Sequence, residues 1–267
     1  MFISFVLSRK KKRIILLVAA ALILLFLVKL YWVNRISAAV GQKQRLVPIY
    51  YVDTTEPKIA ISFDASWGAE FTPKILEILR ENKLKTTFFL TGLWIDKYPE
   101  LVKQIAAEGH ELGNHTATHP HLNSLDKEAI IKELTSVHNS LKELSGQEIT
   151  LFRPPFGEYS NKVIETCSEF GYQTIQWSVD SLDWKEISKD EIVKRVTSQL
   201  HPGAIVLFHN NGRYTADALP EIISFATENG YKIVPISQLL YKDDYYIDPN
   251  DGAQRKNNPA ANNSPPQ

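Results

Sequence analysis

The chain has 267 residues, of which 44% are apolar, and it carries 30 basic and 30 acidic residues. This length suits one domain of about 200 residues with extensions. The first 40 residues hold seven of the basic residues and no acidic one, so the body, with 23 basic and 30 acidic residues, has a net charge near −7. Such a body is not built to neutralise phosphates, which argues against nucleic acid as a partner.

A basic cluster and a long apolar run open the chain. "RKKKR" (9–13) precedes "IILLVAAALILLFLVKLYWV" (14–33), in which Lys29 is the one charged residue. About 20 apolar residues suffice to cross a bilayer, and the basic flank keeps the N-terminal side in the cytoplasm. We therefore predict a cytoplasmic basic segment (1–13) and a transmembrane anchor (14–33), with the rest of a single-pass protein outside the cell membrane.

A cleavable signal peptide is the alternative to this anchor. "SAA" (37–39) offers small residues where a peptidase can cut. The apolar run is longer than an ordinary signal core, so an uncleaved anchor is favoured. Beyond the anchor we predict a linker and an initial strand (34–57), a folded domain (58–241) and a disordered tail rich in Pro and Asn (242–267).

The folded domain alternates between two patterns. Short β-branched or aromatic runs, which predict strands, lie at 59–63, 86–92, 110–115, 151–156, 172–179, 204–209 and 231–236. Segments of helical period lie at 72–83, 99–109, 127–146, 161–171, 189–200 and 218–230. This alternation predicts an α/β fold with a mainly parallel sheet. An open doubly wound sheet fits the same count. A distorted (β/α)7-type barrel is preferred, because polar residues end several strands instead of surrounding one switch point.

Chemically capable side chains stand at the C-terminal ends of the predicted strands. They are Asp64, His115 with His119, Arg153, Asp180 with Asp183, and His209. One such residue would mean little, since buried polar groups at strand ends often serve the loop backbone. Five positions in register predict one site, because parallel strands all finish on the same side of a barrel.

Each of these residues has an ordinary structural interpretation as well. The spacing of His115 and His119 puts two imidazoles on one side of a helical turn and suits a metal, but a bare pair is weak evidence. Arg153, in "FRPPFG", requires an anionic partner. His209 is either a hydrogen-bonded plug or, if a carboxylate orients it, a general acid. The lone Cys167 lies in an apolar helical pattern and is a poor candidate nucleophile.

Five motifs in order resemble those of the polysaccharide deacetylase family, the carbohydrate esterases with the chitooligosaccharide deacetylase homology domain. They are "SFDA", "HTATH", "RPPFG", "DSLDW" and "LFH", and the resemblance covers about residues 55–240. It implies metal-dependent removal of an N-acetyl group from an amino sugar in a polymer. The "FDASWG" form resembles the sporulation-associated branch of the family in Gram-positive bacteria, which favours peptidoglycan as the polymer.

The resemblance also implies roles for individual residues. Asp64 resembles the general base, with Arg153 holding its carboxylate, and His209 resembles the general acid, with Asp183 orienting it. His115 and His119 resemble the ligands of a divalent metal such as Zn. The implied substrate-binding residues are Trp184 and Leu207, which resemble the walls of an acetyl pocket, and Pro155 and Phe156, near which a backbone amide would stabilise the oxyanion.

One position departs from the family pattern. Its first motif ends in two aspartates, of which the second is the carboxylate ligand of the metal, and here that position is Ala65. A methyl group cannot coordinate, so metal binding is expected to be weak. The predicted function is therefore a membrane-anchored, monomeric deacetylase of cell-wall glycan. The alternative is a catalytically inactive glycan-binding ectodomain of the same fold.

Two carboxylates can also cleave glycosides, and Asp64 with Asp183 would be the pair. Arg153 and the histidines disfavour that chemistry. A third possibility is a protein that only assembles other proteins at the membrane. It is disfavoured, because such a role does not explain why histidines and acidic residues are aligned at the strand ends.

Overall fold

The computed structural model describes residues 9–39 and 44–257, and the chain divides into two units, Met1–Arg45 and Leu46–Gln267. The first contains helix α1 (Arg9–Ala39), whose segment Arg13–Trp32 is long and apolar enough to cross a membrane. The apolar side chains of that segment are exposed, as those of a membrane span or a signal sequence would be. The predictions for residues 1–8, 40–43 and 258–267 lie outside the described residues.

The second unit is built on a parallel sheet. Its strands are β1 (Tyr51–Val52), β2 (Lys58–Ala65), β3 (Thr87–Leu90), β4 (Glu111–Asn114), β5 (Leu151–Phe152), β6 (Gln173–Thr174), β7 (Val179–Asp180), β8 (Ile205–His209), β9 (Lys232–Ile233), β10 (Tyr245–Ile247) and β11 (Ala253–Lys256). The large sheet has the order β6-β5-β4-β3-β2-β8-β7, with β9 also paired to β2, and these pairs are parallel. The α/β prediction is confirmed.

The two ends of this sheet come from one stretch of chain. The sequence predicts a single strand over 172–179, whereas the structure has β6 and β7 there, at opposite ends of the strand order. Between them the chain bonds to other segments: the amide of Gln176 donates to the carbonyl of Ile49, and that of Ser178 to Ile205. The sheet therefore curls into a distorted, incomplete barrel that residues 175–178 bridge.

Most helices cover the outer face of the sheet. They are α2 (Thr72–Glu81), α3 (Gly92–Lys97), α4 (Pro99–Ala107), α5 (Lys127–Ser145), α6 (Asn161–Glu169), α7 (Lys189–Thr197) and α8 (Thr215–Glu228). The short helix α9 (Ile236–Leu239) packs instead in the apolar cluster inside the curled sheet. Short polar residues begin several of them: Asp126 caps α5, Ser160 caps α6, and Ser188 forms a capping box with Glu191 in α7. The sequence analysis missed α3, which the side chain of Thr91 caps.

Successive residues of β2 belong to two different apolar clusters. Ile61, Phe63 and Ala65 pack with the outer helices, whereas Ala60 belongs to the cluster inside the curled sheet. Side chains alternate between the faces of a strand, so Asp64 shares the inner face with Ala60. In β8 the same alternation leaves Leu207 and His209 on the inner face.

The C-terminal segment is ordered where the sequence predicts disorder. Residues 242–257 contain β10 and β11, which pair antiparallel, and β11 pairs with β1 in parallel. Arg255 secures this small sheet with ion pairs to Asp53, Asp248 and Asp251. The prediction that residues 242–257 are disordered is therefore wrong. Pairing with β1 satisfies the backbone hydrogen bonds of this segment, and the composition of the segment gives no sign of that distant partner.

Candidate active site

A cleft of about 540 Å³ opens at the C-terminal ends of β2 and β8. Four of the residues predicted for catalysis or metal binding line it, namely Asp64, His115, His119 and His209. Three of the residues predicted for substrate binding line it as well, namely Phe156, Trp184 and Leu207. Side chains separated by more than 140 positions in the sequence thus surround one cavity, because their strands end at the same edge.

Asp64 is held from behind by a buried guanidinium. Nη1 of Arg153 donates to Asp64 Oδ1 at 2.8 Å, and Nη2 donates to the carbonyl of Gln176 at 3.1 Å. Arg153 is fully buried and lies 4.2 Å from the centre of the Phe89 ring. Burial raises the pKa of Asp64, but the charge of the neighbouring Arg153 guanidinium is the main influence that lowers it, and the net shift is downward. The carboxylate is therefore ionised, with Oδ2 free of Arg153.

His115 presents an unprotonated nitrogen to this carboxylate. Its Nδ1 lies 2.7 Å from the carbonyl oxygen of Arg153, which only accepts, so Nδ1 carries the proton. Burial lowers the pKa of His115, and the ring is neutral. Its Nε2 then faces Asp64 Oδ2 at 3.6 Å with a lone pair. Two electron-rich atoms at this separation suit a cation between or beside them.

His119 lies close to His115, but the backbone conformation that brings the two together is not the predicted helical turn. The ring centres are 5.0 Å apart, but the residues occupy a loop after β4 instead of a helical turn. Thr116 and His119 both have left-handed backbones, with φ of 69° and 59°. The Thr116 hydroxyl accepts the His119 amide at 3.1 Å, and Asn114 Oδ1 accepts the Thr116 amide at 2.9 Å. Burial lowers the pKa of His119 to about 4, and its buried Nδ1 has no hydrogen-bond partner.

His209 is oriented by a buried carboxylate. Its Nδ1 lies 2.7 Å from Asp183 Oδ1, and its backbone amide donates to Asp183 Oδ2 at 2.8 Å. Burial lowers the pKa of His209, but the hydrogen bond and charge of Asp183 raise it more, so the pKa lies above its usual range. Because Nδ1 is engaged, Nε2 is the ring nitrogen available to a ligand in the cleft.

The donors fit a divalent metal only in part. His115 Nε2 and the unpartnered Nδ1 of His119 are two neutral imidazole nitrogens, which zinc favours, and Asp64 Oδ2 is an adjacent anion. Within residues 9–39 and 44–257, however, no group of three or more His, Cys, Asp or Glu side chains is arranged to hold a metal ion. Ala65 is fully buried among the outer apolar residues and does not line the cleft.

The remaining predicted residues lie at or behind the wall of the cleft. Leu207 and Trp184 line it, the first buried and the second exposed. Pro155, which was predicted to bind substrate, is buried and does not line the cleft. The preceding residue, Pro154, lines it instead. Phe156 follows at a left-handed φ of 59° and projects its ring into the cleft.

Sequence reasoning assigned no role to several residues that the fold places here. Trp67 and Trp177 line the cleft, and so does Asp180, which was noted only as a strand end. The "SFDASW" stretch contains Trp67 three residues after Asp64, the predicted base, so this indole was a usable signal. No pattern in the sequence pointed to Thr215, whose hydroxyl contacts Asp183 from behind. The Cys167 thiol is buried, which raises its pKa to about 12 and makes it a poor nucleophile, as expected.

Known proteins resemble this chain in sequence and fold. A family model described as polysaccharide deacetylase matches residues 51–175. The peptidoglycan-N-acetylmuramic acid deacetylase PdaA of Bacillus subtilis (strain 168) is 35% identical over 197 residues, covering 72% of this chain and 75% of its own length. A peptidoglycan-N-acetylglucosamine deacetylase of Bacillus cereus is 35% identical over 187 residues, covering 68% of each chain.

A solved structure adds a different kind of relative. It is a wild-type CE4 family pseudoenzyme from Bacillus anthracis, which matches with a TM-score of 0.70 and 35% identity over 72% of this chain and 68% of its own. A mutant of that pseudoenzyme with restored enzymatic activity matches with the same TM-score and 36% identity, over 72% of this chain and 71% of its own. Similarity at this level therefore includes both active and inactive proteins.

Proposed function

Because the chain belongs to the polysaccharide deacetylase family, we propose that it is a hydrolase that removes N-acetyl groups from amino sugars of cell-wall peptidoglycan. Two of the relatives named above are peptidoglycan deacetylases, which supports this polymer. The apolar segment Arg13–Trp32 would anchor the protein in the cell membrane, with the second unit outside. Because the "FDASWG" form resembles the sporulation-associated branch of the family, we also propose that the protein acts during sporulation.

One observation carries the proposal: a fixed carboxylate and a fixed imidazole face the same cleft from neighbouring strands. Asp64 and His209 are partners in the register of β2 and β8. Arg153 fixes the first and Asp183 fixes the second. Amide hydrolysis needs a base for the attacking water and an acid for the departing amine. The lowered pKa of Asp64 favours its deprotonated form, which a base requires, and the raised pKa of His209 favours its protonated form, which an acid requires.

Asp64 would act first. Its free Oδ2 accepts a proton from water while the water oxygen attacks the acetyl carbonyl carbon, which forms a tetrahedral species. The bond from Arg153 to Oδ1 keeps the carboxylate from rotating away and keeps it ionised. The base is thereby available without a change in backbone position.

His209 would act second. Its Nε2–H gives a proton to the amide nitrogen as the C–N bond breaks, which releases acetate and a free amino sugar. Asp183 stabilises the protonated ring before transfer and holds Nε2 toward the cleft. Exchange with solvent then restores the proton to His209 and removes it from Asp64.

Other residues would bind the substrate or a metal. His115 and His119 would hold a divalent metal, which when bound supplies a Lewis acid that polarises the water and the acetyl carbonyl. Leu207 and Trp184 would enclose the acetyl methyl group, and a backbone amide near Phe156 would stabilise the oxyanion. The protein would act as a monomer, since all these groups come from one chain.

The alternative function is a glycan-binding ectodomain without turnover. Ala65 supports it, because the position that the family uses for a metal ligand holds a methyl group in the outer core. The similarity to a pseudoenzyme supports it too. In this case the cleft would bind the same glycan but release no acetate.

Acetate release from purified peptidoglycan separates the two functions. The full chain in detergent is compared with Asp64→Asn and His209→Ala, and with Asp96→Asn, a matched change at an exposed aspartate of α3, as a control. We expect release by the wild type and the control and at least a 100-fold loss in the two site variants, in line with typical contributions of about 10²–10⁴ from acid–base groups. No release by the wild type, or release by both site variants equal to that of the wild type, would contradict the enzyme.

A further inference from the structure

The loop that carries His115 and His119 has an unfavourable backbone conformation. Thr116 and His119 lie at φ of 69° and 59°, in the left-handed region that residues other than glycine seldom adopt. For a β-branched residue such as Thr116 this conformation is a genuine outlier. It persists only where the surrounding structure holds it in place. Contacts from outside the loop are therefore needed to support it.

The side chain of Asn114 supplies part of this support. It is fully buried at the end of β4, and its Oδ1 accepts a hydrogen bond from the amide of Thr116 at 2.9 Å. Its Nδ2 donates to the carbonyl of Leu134 in α5 at 2.8 Å and to the hydroxyl of Tyr172 at 2.9 Å. Rotating this amide group by 180° would set its hydrogens against the Thr116 amide and its oxygen against the Leu134 carbonyl. The contacts therefore fix one orientation of Asn114.

Tyr172 extends these contacts to a residue nearer the surface. Its hydroxyl accepts the bond from Asn114 and lies 2.8 Å from Nδ1 of His138, a half-buried residue of α5. Burial raises the pKa of Tyr172 to about 12, so the hydroxyl keeps its proton and can donate it to His138 while accepting from Asn114. We call Asn114, Tyr172 and His138 the polar network. These three residues lie behind the cleft and do not line it.

Asn114 also joins the loop to the residue that holds Asp64. The carbonyl of Asn114 accepts the amide of Arg153 at 3.0 Å, and the carbonyl of Arg153 lies 2.7 Å from His115 Nδ1. The guanidinium of Arg153 in turn donates to Asp64. A displacement of Asn114 would therefore move the cleft histidines relative to this carboxylate.

We propose that the polar network positions the loop carrying His115 and His119, and that the hydroxyl of Tyr172 is the contact on which the network depends. Tyr172 is then a positioning residue, which acts through Asn114 and does not touch the substrate. The effect of the network on turnover rests on the proposed function, whereas its effect on the loop does not.

Amide hydrogen exchange in the full chain in detergent tests the loop directly. Mass spectrometry follows the segment 112–119 in the wild type, in Tyr172→Phe, which removes only the hydroxyl, and in Tyr241→Phe. Tyr241 is a matched control, because its hydroxyl donates to the carbonyl of Asp53, outside the network. We expect exchange of 112–119 to be about tenfold faster in Tyr172→Phe, because Asn114 Nδ2 is left with an unpaired hydrogen in a buried place. Exchange of β8 in that variant, and of both segments in Tyr241→Phe, should match the wild type.

A variant at the other end of the network shows whether its members act together. His138→Leu removes the partner of the Tyr172 hydroxyl and should also speed exchange of 112–119, but by less than Tyr172→Phe does. The double variant should exchange no faster than Tyr172→Phe, because without the hydroxyl His138 has no connection to Asn114. Unchanged exchange of 112–119 in Tyr172→Phe, additive effects in the double variant, or faster exchange throughout the domain would each overturn the proposal.

Acetate release from peptidoglycan tests the consequence for turnover. We expect Tyr172→Phe to lower kcat about tenfold with KM nearly unchanged, since small misplacements of catalytic groups are costly while the cleft wall is intact. With an active wild type, equal kcat values for Tyr172→Phe and Tyr241→Phe would overturn the positioning role. A wild type that releases no acetate contradicts the proposed function instead, and exchange of 112–119 then decides the network by itself.

Discussion

The hydroxyl of Thr215 donates a 2.6 Å hydrogen bond to Asp183 Oδ2, on the carboxylate whose other oxygen holds His209. Both residues are fully buried. The approach requires Gly212, since a Cβ at that position would lie 2.2 Å from the Thr215 hydroxyl and 2.8 Å from Asp183 Oδ2. Thr215 thus positions Asp183, and through it the His209 imidazole that lines the cleft.

Thr215→Val removes this hydrogen bond while keeping the shape of the side chain. We expect kcat to fall about tenfold, equivalent to about 1.36 kcal/mol of activation free energy, with KM nearly unchanged because Thr215 does not reach the cleft. Thr215→Ser restores the hydroxyl and should restore kcat. Steady-state acetate release by the two variants measures this, and equal kcat values for them would show that the hydroxyl has no role.

Asp183→Asn should move the alkaline limit of activity to lower pH. In the proposed mechanism His209 acts when protonated, and its pKa is raised, so we expect activity to persist above the usual histidine value of about 6.5 and to fall as pH rises through the raised value. Without the charge of Asp183, burial dominates and lowers the pKa of His209. The pH profile of kcat/KM measures the shift, and an unchanged alkaline limit would contradict His209 as the acid.

The same pair makes folding stability depend on pH. A histidine whose pKa is raised on folding contributes stability that is complete below its unfolded pKa of about 6.5 and is lost as pH rises through the folded value. The free energy of unfolding should therefore decline across this window in the wild type. Denaturant titrations at several pH values should show a smaller decline in His209→Gln, and equal slopes would contradict the linkage.

Arg153→Met should destabilise the fold more than its size suggests. It would leave the Asp64 carboxylate buried without its cationic partner, and breaking one side of a buried ion pair typically costs about 3–5 kcal/mol. Adding Asp64→Asn removes the unpaired charge and should recover part of the loss. Denaturant unfolding of the two single variants and the double variant gives the coupling energy, and strict additivity would show that the pair does not interact.

Metal binding should be weak or substoichiometric. Two imidazoles and a carboxylate shared with Arg153 offer less than the full ligand set that the family resemblance implies, because the methyl group of Ala65 cannot coordinate a metal. Elemental analysis of the purified full chain, with acetate release measured before and after chelation, checks this. His115→Ala should remove the residual metal, and tight stoichiometric binding by the wild type would contradict the interpretation of Ala65.

Local pattern in the sequence determined the class of fold and most of the cleft. Alternating strand and helix periods predicted the α/β architecture, which the structure confirms. The polar residues that end β2 and β8 were predicted to meet because parallel strands finish on one side, and Asp64 and His209 are indeed in register. This prediction succeeded because the direction of a parallel strand determines at which edge of the sheet its C-terminal residue lies.

Only the tertiary structure decided what lies around those strand ends. The division of residues 172–179 into two distant strands and the pairing of β11 with β1 depend on partners far away in the sequence. Backbone turns bring Trp67 beside His119, and Thr215 onto Asp183. Alternation along β2 turns Ala65 away from the cleft, a consequence that its place beside Asp64 conceals until the inner and outer faces of the sheet are known.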